Sequence, residues 1–352
     1  MPAIHFAICG IPIVISAHSP RLVRLFADYF RYYEPEIEAS AESLGSLRSG
    51  RDSNPLVIEL KMRRDLPPRE RLIPSKAELF SQTGVIGLWR ERIEDRDGVA
   101  RERFYFDLQV AAFRVDPQRG SATGLVSPQS LEYPHILANT YTLFALLLLL
   151  RSRGLYHLHA AAVVSPDGKL WLICGSRASG KTTLTTALGI AGWRPISDDS
   201  LLIGSDGDSP QMFALKKYFH LGDELLKRWR AMDGVKRHHQ YLDRSCVGGL
   251  EFFGAKDLAD TKFGKIDYIV LPEIGKEGKS RVAPISRSEA LLKLAEQSMY
   301  FQLWREHTED QWKLIGELAG EASCCRLLAG TDILDDPHCV AQLLGQAATP
   351  VK

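Results

Sequence analysis

The stretch Leu170-Trp171-Leu172-Ile173-Cys174-Gly175-Ser176-Arg177-Ala178-Ser179-Gly180-Lys181-Thr182-Thr183-Leu184 decides how this chain is read. Five apolar residues run straight into a loop bounded by Gly175 and Gly180. Lys181, Thr182 and Thr183 then open a run that suits a helix, with Leu184 through Leu188 as its apolar part. The loop fits the pattern G-x-x-x-x-G-K-[ST] in full, with a strand before it and a helix after it. In such a loop the backbone N–H groups wrap a polyphosphate, and the glycines allow close approach. The helix that follows points its positive dipole end at the same charge. Lys181 reaches the β- and γ-phosphates, and the Thr182 hydroxyl reaches a magnesium ion. The candidate nucleotide-binding residues are Gly175, Ser176, Arg177, Ala178, Ser179, Gly180, Lys181, Thr182 and Thr183.

Downstream, Leu184, Ala187, Leu188 and Ala191 share one helical face, and Gly192 ends the helix. Trp193-Arg194-Pro195-Ile196 reads as a short strand that leads into Ser197-Asp198-Asp199, with Asp198 17 residues after Lys181. Adjacent carboxylates at a strand end beside a triphosphate suit two tasks. One holds a metal ion and the other accepts a proton from a hydroxyl nucleophile. Upstream, His159 to Val164 reads as a strand that turns at Ser165-Pro166-Asp167-Gly168 and pairs antiparallel with Leu170–Cys174. His159, 16 residues before Gly175, starts that strand, and His157 shares its face if the strand extends that far.

His159-Ala160, the hairpin, Gly175 to Thr182 and Ser197-Asp198-Asp199 together resemble the catalytic domain of HPr kinase/phosphorylase and its relatives. That family shares a P-loop fold with phosphoenolpyruvate carboxykinase. The resemblance is specific over residues 154–204 and looser to about residue 345. It implies an α/β fold, a phosphoenolpyruvate carboxykinase-like P-loop kinase domain over 154–352; the chain's own pattern sets a smaller, β-rich α+β domain before it over 1–153, which does not look like that enzyme's N-terminal domain. It also implies transfer of the ATP γ-phosphate to a serine hydroxyl of a peptide or small protein, with ATP and Mg²⁺. By position Asp198 resembles the family's catalytic base, His159 the residue that neighbours and tunes it, and Asp199 with Thr182 the metal side. Lys181 holds the β- and γ-phosphates. The chain has Ala160 where the family has glycine, and Thr182 where it has serine. It lacks a clear match to the family's Glu-Ile-Arg-Gly signature, the region being occupied by Gly248-Gly249-Leu250-Glu251. The combination looks more like the divergent HPr kinase-related proteins, some of which tailor ribosomally made peptides, including lasso peptides. Two other readings stand beside this one: a kinase for a small hydroxylated metabolite such as free serine, and a nucleotide-sensing module without transfer activity.

Outside this core the pattern is coarser. Residues 4–9 and 11–15 read as strands around Gly10, and Ser19-Pro20 starts a helix with Leu22, Leu25, Phe26 and Phe30 on one face. Residues 39–54 read as a surface loop and 56–61 as a strand. Strand–turn–strand is expected from Val85 to Val115, with the turn at Asp95-Arg96-Asp97-Gly98, and a long helix from Pro134 to Arg153. Ile266–Leu271 is a buried-strand candidate, and Ser286–Met299 and Thr308–Leu318 suit helices. Substrate recognition is the role expected of the N-terminal domain.

The 352 residues carry 44 Lys and Arg against 43 Asp and Glu, so no global field steers nucleic acid or an anionic membrane to the chain. The most apolar run, Ile136 to Leu150, is shorter than the roughly 20 residues a membrane helix needs. Cys9, Cys174, Cys246, Cys324, Cys325 and Cys339 form no CxxC pair, and the opening Met1-Pro2-Ala3-Ile4-His5 has no basic secretory region. The expected location is the cytoplasm, and the family resemblance adds a homo-oligomer. Lys216-Lys217-Tyr218 reads as a solvated face and Lys236-Arg237-His238-His239 as a polar loop. Arg177 either touches the γ-phosphate or acceptor, or points to solvent. Phe301, Trp304 and Trp312 read as core.

Overall fold

A computed structural model describes residues 1–38, 54–83, 86–94, 98, 100–108, 110–207, 209–241, 244–298 and 307–347. Residues 39–53 of the expected loop, most of the Asp95–Gly98 turn, and Met299, Phe301 and Trp304 lie outside them. The chain is a mixed α/β protein with several sheets, divided into two compact units, Met1–Gly154 and Leu155–Lys352.

The first unit is built on a nine-stranded sheet. Ala3–Ile8 and Ile11–Ala17 form a hairpin whose turn uses Cys9 and Gly10 at positive φ. The second of these strands runs parallel to Leu56–Met62, which runs parallel to Ser121–Val126. Glu36–Glu38 pairs antiparallel with Ala3–Ile8 at one edge, and from Ser121–Val126 the other strands form an antiparallel meander outward to Glu78–Thr83 at the opposite edge. Leu56, Ile58 and Leu60 alternate with less buried residues, the period of a strand with one covered face. Helix Leu143–Arg151 covers that sheet and is buried almost all round, which accounts for its unbroken run of leucines. The expected single helix from Pro134 is in fact π-helical over Ile136–Thr142 before it becomes α-helical. Helix Pro20–Tyr29 starts where Ser19-Pro20 indicated, although the Ser19 side chain makes no cap. No described helix is long and apolar enough to cross a membrane.

The second unit holds a six-stranded sheet in the order Arg194–Ser197, Ala160–Val164, Leu170–Cys174, Tyr268–Ile274, Ser323–Ala329, Arg281–Pro284. Ala160–Val164 and Leu170–Cys174 are buried at every position, so both strands read as continuous apolar runs. Their hairpin closes at Gly168, whose φ of +83° requires glycine and whose N–H donates to Ser165 O at 2.8 Å. Leu170–Cys174 leaves the sheet into the 175–182 loop and helix Lys181–Ile190. That helix ends at Gly192 in a Schellman cap: Trp193 N–H donates to Leu188 O and Gly192 N–H to Gly189 O. A three-stranded sheet joins Tyr156–Leu158, Leu201–Asp206 and Ser209–Ala214, and another joins Phe219–Gly222, Arg244–Val247 and Arg237–Tyr241. The last strand corrects the expectation of a polar loop at Lys236–His239; there the His238 ring lies over Tyr218 with centroids 4.6 Å apart. Trp312, expected in the core, is 40% exposed on helix Thr308–Leu318, whose buried face is Gln311, Leu314, Ile315 and Leu318.

Candidate active site

Sheet register gathers the candidate residues at one end of Leu170–Cys174. Ala160 pairs with Cys174, so His159 and Gly175 emerge side by side. Ala162 pairs with Ser197 across a bulge, so Asp198 and Asp199 emerge next to them. His159 is not a strand residue. It separates Tyr156–Leu158 from Ala160–Val164, which pair in different sheets, and its N–H donates to Gln297 O at 3.0 Å.

The 175–182 loop folds tightly on itself. A Cβ at Gly175 would sit 2.5 Å from Ser179 Oγ. Ala178 and Gly180 have φ of +65° and +95°, which turns the backbone before the helix. Lys181 is buried beneath the loop, where Nζ donates to Gly175 O at 2.7 Å and Ser176 O at 3.1 Å. Burial holds its pKa below the ordinary lysine value, against the pull of Cys174, Asp199 and Asp198. Ser176, Arg177 and Ala178 are exposed, and Thr182 and Thr183 are half-buried at the helix start. Arg177 thus lies on the solvent side of the loop.

The two carboxylates sit on a turn locked by Ser197. Its Oγ donates to Ser200 O at 2.7 Å and accepts from Ser200 N at 2.9 Å. The side chains then part. Asp198 is 1% exposed; its Oδ2 accepts from the His220 N–H at 3.0 Å, while its Oδ1 is buried with no hydrogen-bond partner among the described residues. Asp199 Oδ1 meets Lys217 Nζ at 2.7 Å and accepts from Ser200 Oγ at 2.8 Å. Burial, and then the neighbouring Asp199, push the Asp198 carboxyl up to about 7. Burial acts the same way on Asp199, but Lys217, His220 and His159 outweigh it and hold that group below the usual carboxylate range. Burial lowers the pKa of His159, and its hydrogen bond is to the Asp199 backbone. His159 therefore sits against Asp199, where the sequence reading put it beside Asp198. His157, buried, is pushed down to about 3 by burial and then by His159, and is neutral at physiological pH.

Lys217 is the other departure. It is 6% exposed, so it is not part of a solvated face, whereas its neighbour Lys216 pairs with Asp260. Lys217 and His220 reach the site because the chain leaving Ser209–Ala214 passes Ser200, where Leu215 N–H donates to Ser200 O, and is buried from Lys217 through His220. His220 was not singled out from the sequence. The available signal was a lysine and a histidine set among Leu215, Tyr218, Phe219 and Leu221, an apolar run that has to be buried. Glu251 is exposed on the short helix Gly249–Phe252.

Asp198, Asp199 and His220 each offer a ligand atom within 4.8 Å of the others. Two carboxylates, one with a buried oxygen that has no hydrogen-bond partner among the described residues, form a donor set that a divalent cation fits. Thr182 offers a hydroxyl at the helix start.

No protein-family model matches the chain, and no curated protein matches it. Among solved structures, the HPr(Ser) kinase/phosphatase from Coxiella burnetii is similar at 11% identity and a TM-score of 0.25, covering 54% of this chain and 98% of that one. The chemistry of the site is therefore read from its own residues.

Proposed function

We propose that this chain is an ATP-dependent kinase that transfers the γ-phosphate to a serine hydroxyl of a peptide or small protein. The observation that carries the reading is Asp198 Oδ1: a buried carboxylate oxygen without a hydrogen-bond partner among the described residues, at the same sheet end as a glycine-bounded loop and its lysine. A buried acceptor left unsatisfied is costly, and such atoms call for an explanation in function. A donor that arrives with the substrate supplies one.

In this reading the backbone of Gly175 to Thr182 binds the polyphosphate, and Lys181 leaves the carbonyls of Gly175 and Ser176 for the β- and γ-phosphates. Mg²⁺ held by Thr182 and Asp199 would neutralise phosphate charge. Asp198 Oδ1 accepts the hydroxyl proton as the serine oxygen bonds to the γ-phosphorus. The bond from that phosphorus to the bridging oxygen breaks, and ADP leaves with the electron pair. The His220 N–H holds Asp198 Oδ2 in place, which fixes which oxygen faces the acceptor. His159 braces the backbone of Asp199.

The test is phosphate incorporation from ATP with Mg²⁺ into serine-containing peptides, read by mass spectrometry. A gain of one HPO₃ on serine, absent with Asp198→Asn, supports the reading. Transfer to free serine or another small hydroxyl compound, with none to peptides, would replace the substrate class. ATP binding with no transfer to any acceptor would make the chain a nucleotide-sensing module.

A further inference from the structure

The feature this mechanism leaves unused is Lys217. A lysine is rarely buried unless paired, and this one is buried against the carboxylate that the mechanism assigns to the metal side. We infer that Lys217 is the resident cation of the site, occupying at Asp199 the position of a divalent ion and yielding it when the metal–nucleotide complex binds. The inference rests on the kinase reading for its consequence in transfer, but its binding claim stands on geometry alone.

Three observations converge. The contact is a direct ion pair at 2.7 Å, made on the same oxygen that Ser200 Oγ donates to, so Oδ1 of Asp199 is fully engaged before any ligand arrives. The partner carboxylate of Asp198 and the ring of His220 lie within ligand distance of Asp199, so the ammonium occupies one edge of a cluster able to hold a metal. Asp198 Oδ1, buried and without a hydrogen-bond partner among the described residues, is the part of that cluster Lys217 does not satisfy.

The physical consequence is specific. Removing one member of a buried ion pair leaves the other charge uncompensated, and a cation that then binds Asp199 no longer has to displace an ammonium. Lys217 and a divalent ion therefore compete for Asp199. The competition gives the site a reason to stay closed to free metal while accepting metal that arrives with the triphosphate, whose negative charge draws the ammonium away from Asp199.

The experiment titrates Mn²⁺ alone into the full chain, read by the electron paramagnetic resonance signal of the free ion, and compares wild type with Lys217→Met. Loss of a unit charge at contact distance should tighten Mn²⁺ by about tenfold or more. Lys217→Arg, which keeps the charge, should bind Mn²⁺ as wild type does. Adding Asp199→Asn to Lys217→Met should abolish the gain. Equal or weaker Mn²⁺ binding by a folded Lys217→Met would overturn the proposal. If Lys217→Met does not fold, the arginine variant and Asp199→Asn in the wild-type background decide. Weak Mn²⁺ binding unchanged by Asp199→Asn shows that Asp199 is already closed to the free ion, and a large loss shows that it never was. Absence of transfer in wild type would sink the kinase reading while leaving the Mn²⁺ result to judge Lys217.

Discussion

The backbone N–H of His220 holds one oxygen of Asp198 at 3.0 Å and leaves the other buried, with no hydrogen-bond partner among the described residues. Two strands from different sheets are needed to make this arrangement, and it gives the carboxylate a defined direction. Asp198→Asn keeps the shape and the acceptor for His220 N–H but removes the proton-accepting oxygen. Transfer should fall by about 10²–10⁴-fold, the usual contribution of a general base, while nucleotide affinity changes little. Rate measured by phosphate incorporation and affinity by calorimetry separate the two.

The pH dependence follows from the same residue. Asp198 is held up to about 7, so the base is protonated below that value and ionised above it. kcat/KM should rise with pH on the acid side, by about tenfold per pH unit well below the midpoint, and level off above it. A flat profile between pH 5 and 8 would exclude Asp198 as the base.

Stability should show the opposite sign. A carboxyl raised in the folded state keeps a proton that the unfolded chain has lost, so folding is weakened as pH rises from the ordinary carboxyl range through about 7. Asparagine carries no charge at any of these pH values. The melting temperature of Asp198→Asn relative to wild type should therefore increase between pH 5 and pH 8, as scanning calorimetry at the two values would show.

Gly175→Ala tests the loop. Its Cβ would lie 2.5 Å from Ser179 Oγ and 3.1 Å from Ser179 Cβ, and 3.6 Å from Pro272 O. The loop must shift to admit it, and nucleotide affinity should fall by about tenfold or more, as a displacement near 1 Å at a positioned site commonly does. The double variant Gly175→Ala with Ser179→Gly removes the clashing side chain and should recover part of that loss. Equal affinity in all three proteins would show that the loop does not hold the ligand.

Helix Arg287–Glu296 tests a local reading. Ser286 accepts from the Glu289 N–H at 3.2 Å as its N-cap. Ser286→Ala should cost about 1 kcal/mol and lower the melting temperature of the second unit by roughly 2–4 °C. The change in melting temperature, with transfer activity unaltered, is the measurement.

Much around the loop was legible because short-range rules govern it. The run Leu170–Cys174, the turn at Gly168, the loop bounded by glycines and the cap at Gly192 each depend on residues a few positions apart. The same is true of helix Thr308–Leu318 and of the start at Pro20. Where the reading departs from the structure, a long-range pairing intervened. His159 leaves its strand because Tyr156–Leu158 pairs with Leu201–Ile203 while Ala160 onward pairs elsewhere. Arg237–Tyr241 looks like a polar loop because it pairs on one side with Arg244–Val247 and buries little of itself. Trp312 is exposed because the helix buries Gln311 and Ile315 instead, a choice made by the strands it packs on.

The sequence by itself determined the strand, loop and helix of residues 170–190 and the adjacency of Asp198 to Asp199, since both follow from neighbours in the chain. Only the tertiary structure decided that these two carboxylates would have different surroundings. Lys217 and His220 lie about 20 residues further on, in an apolar run that calls for burial but does not name the carboxylate a buried lysine would meet. Its burial is set by a partner of opposite charge, and which carboxylate that is depends on how the sheets are joined in space.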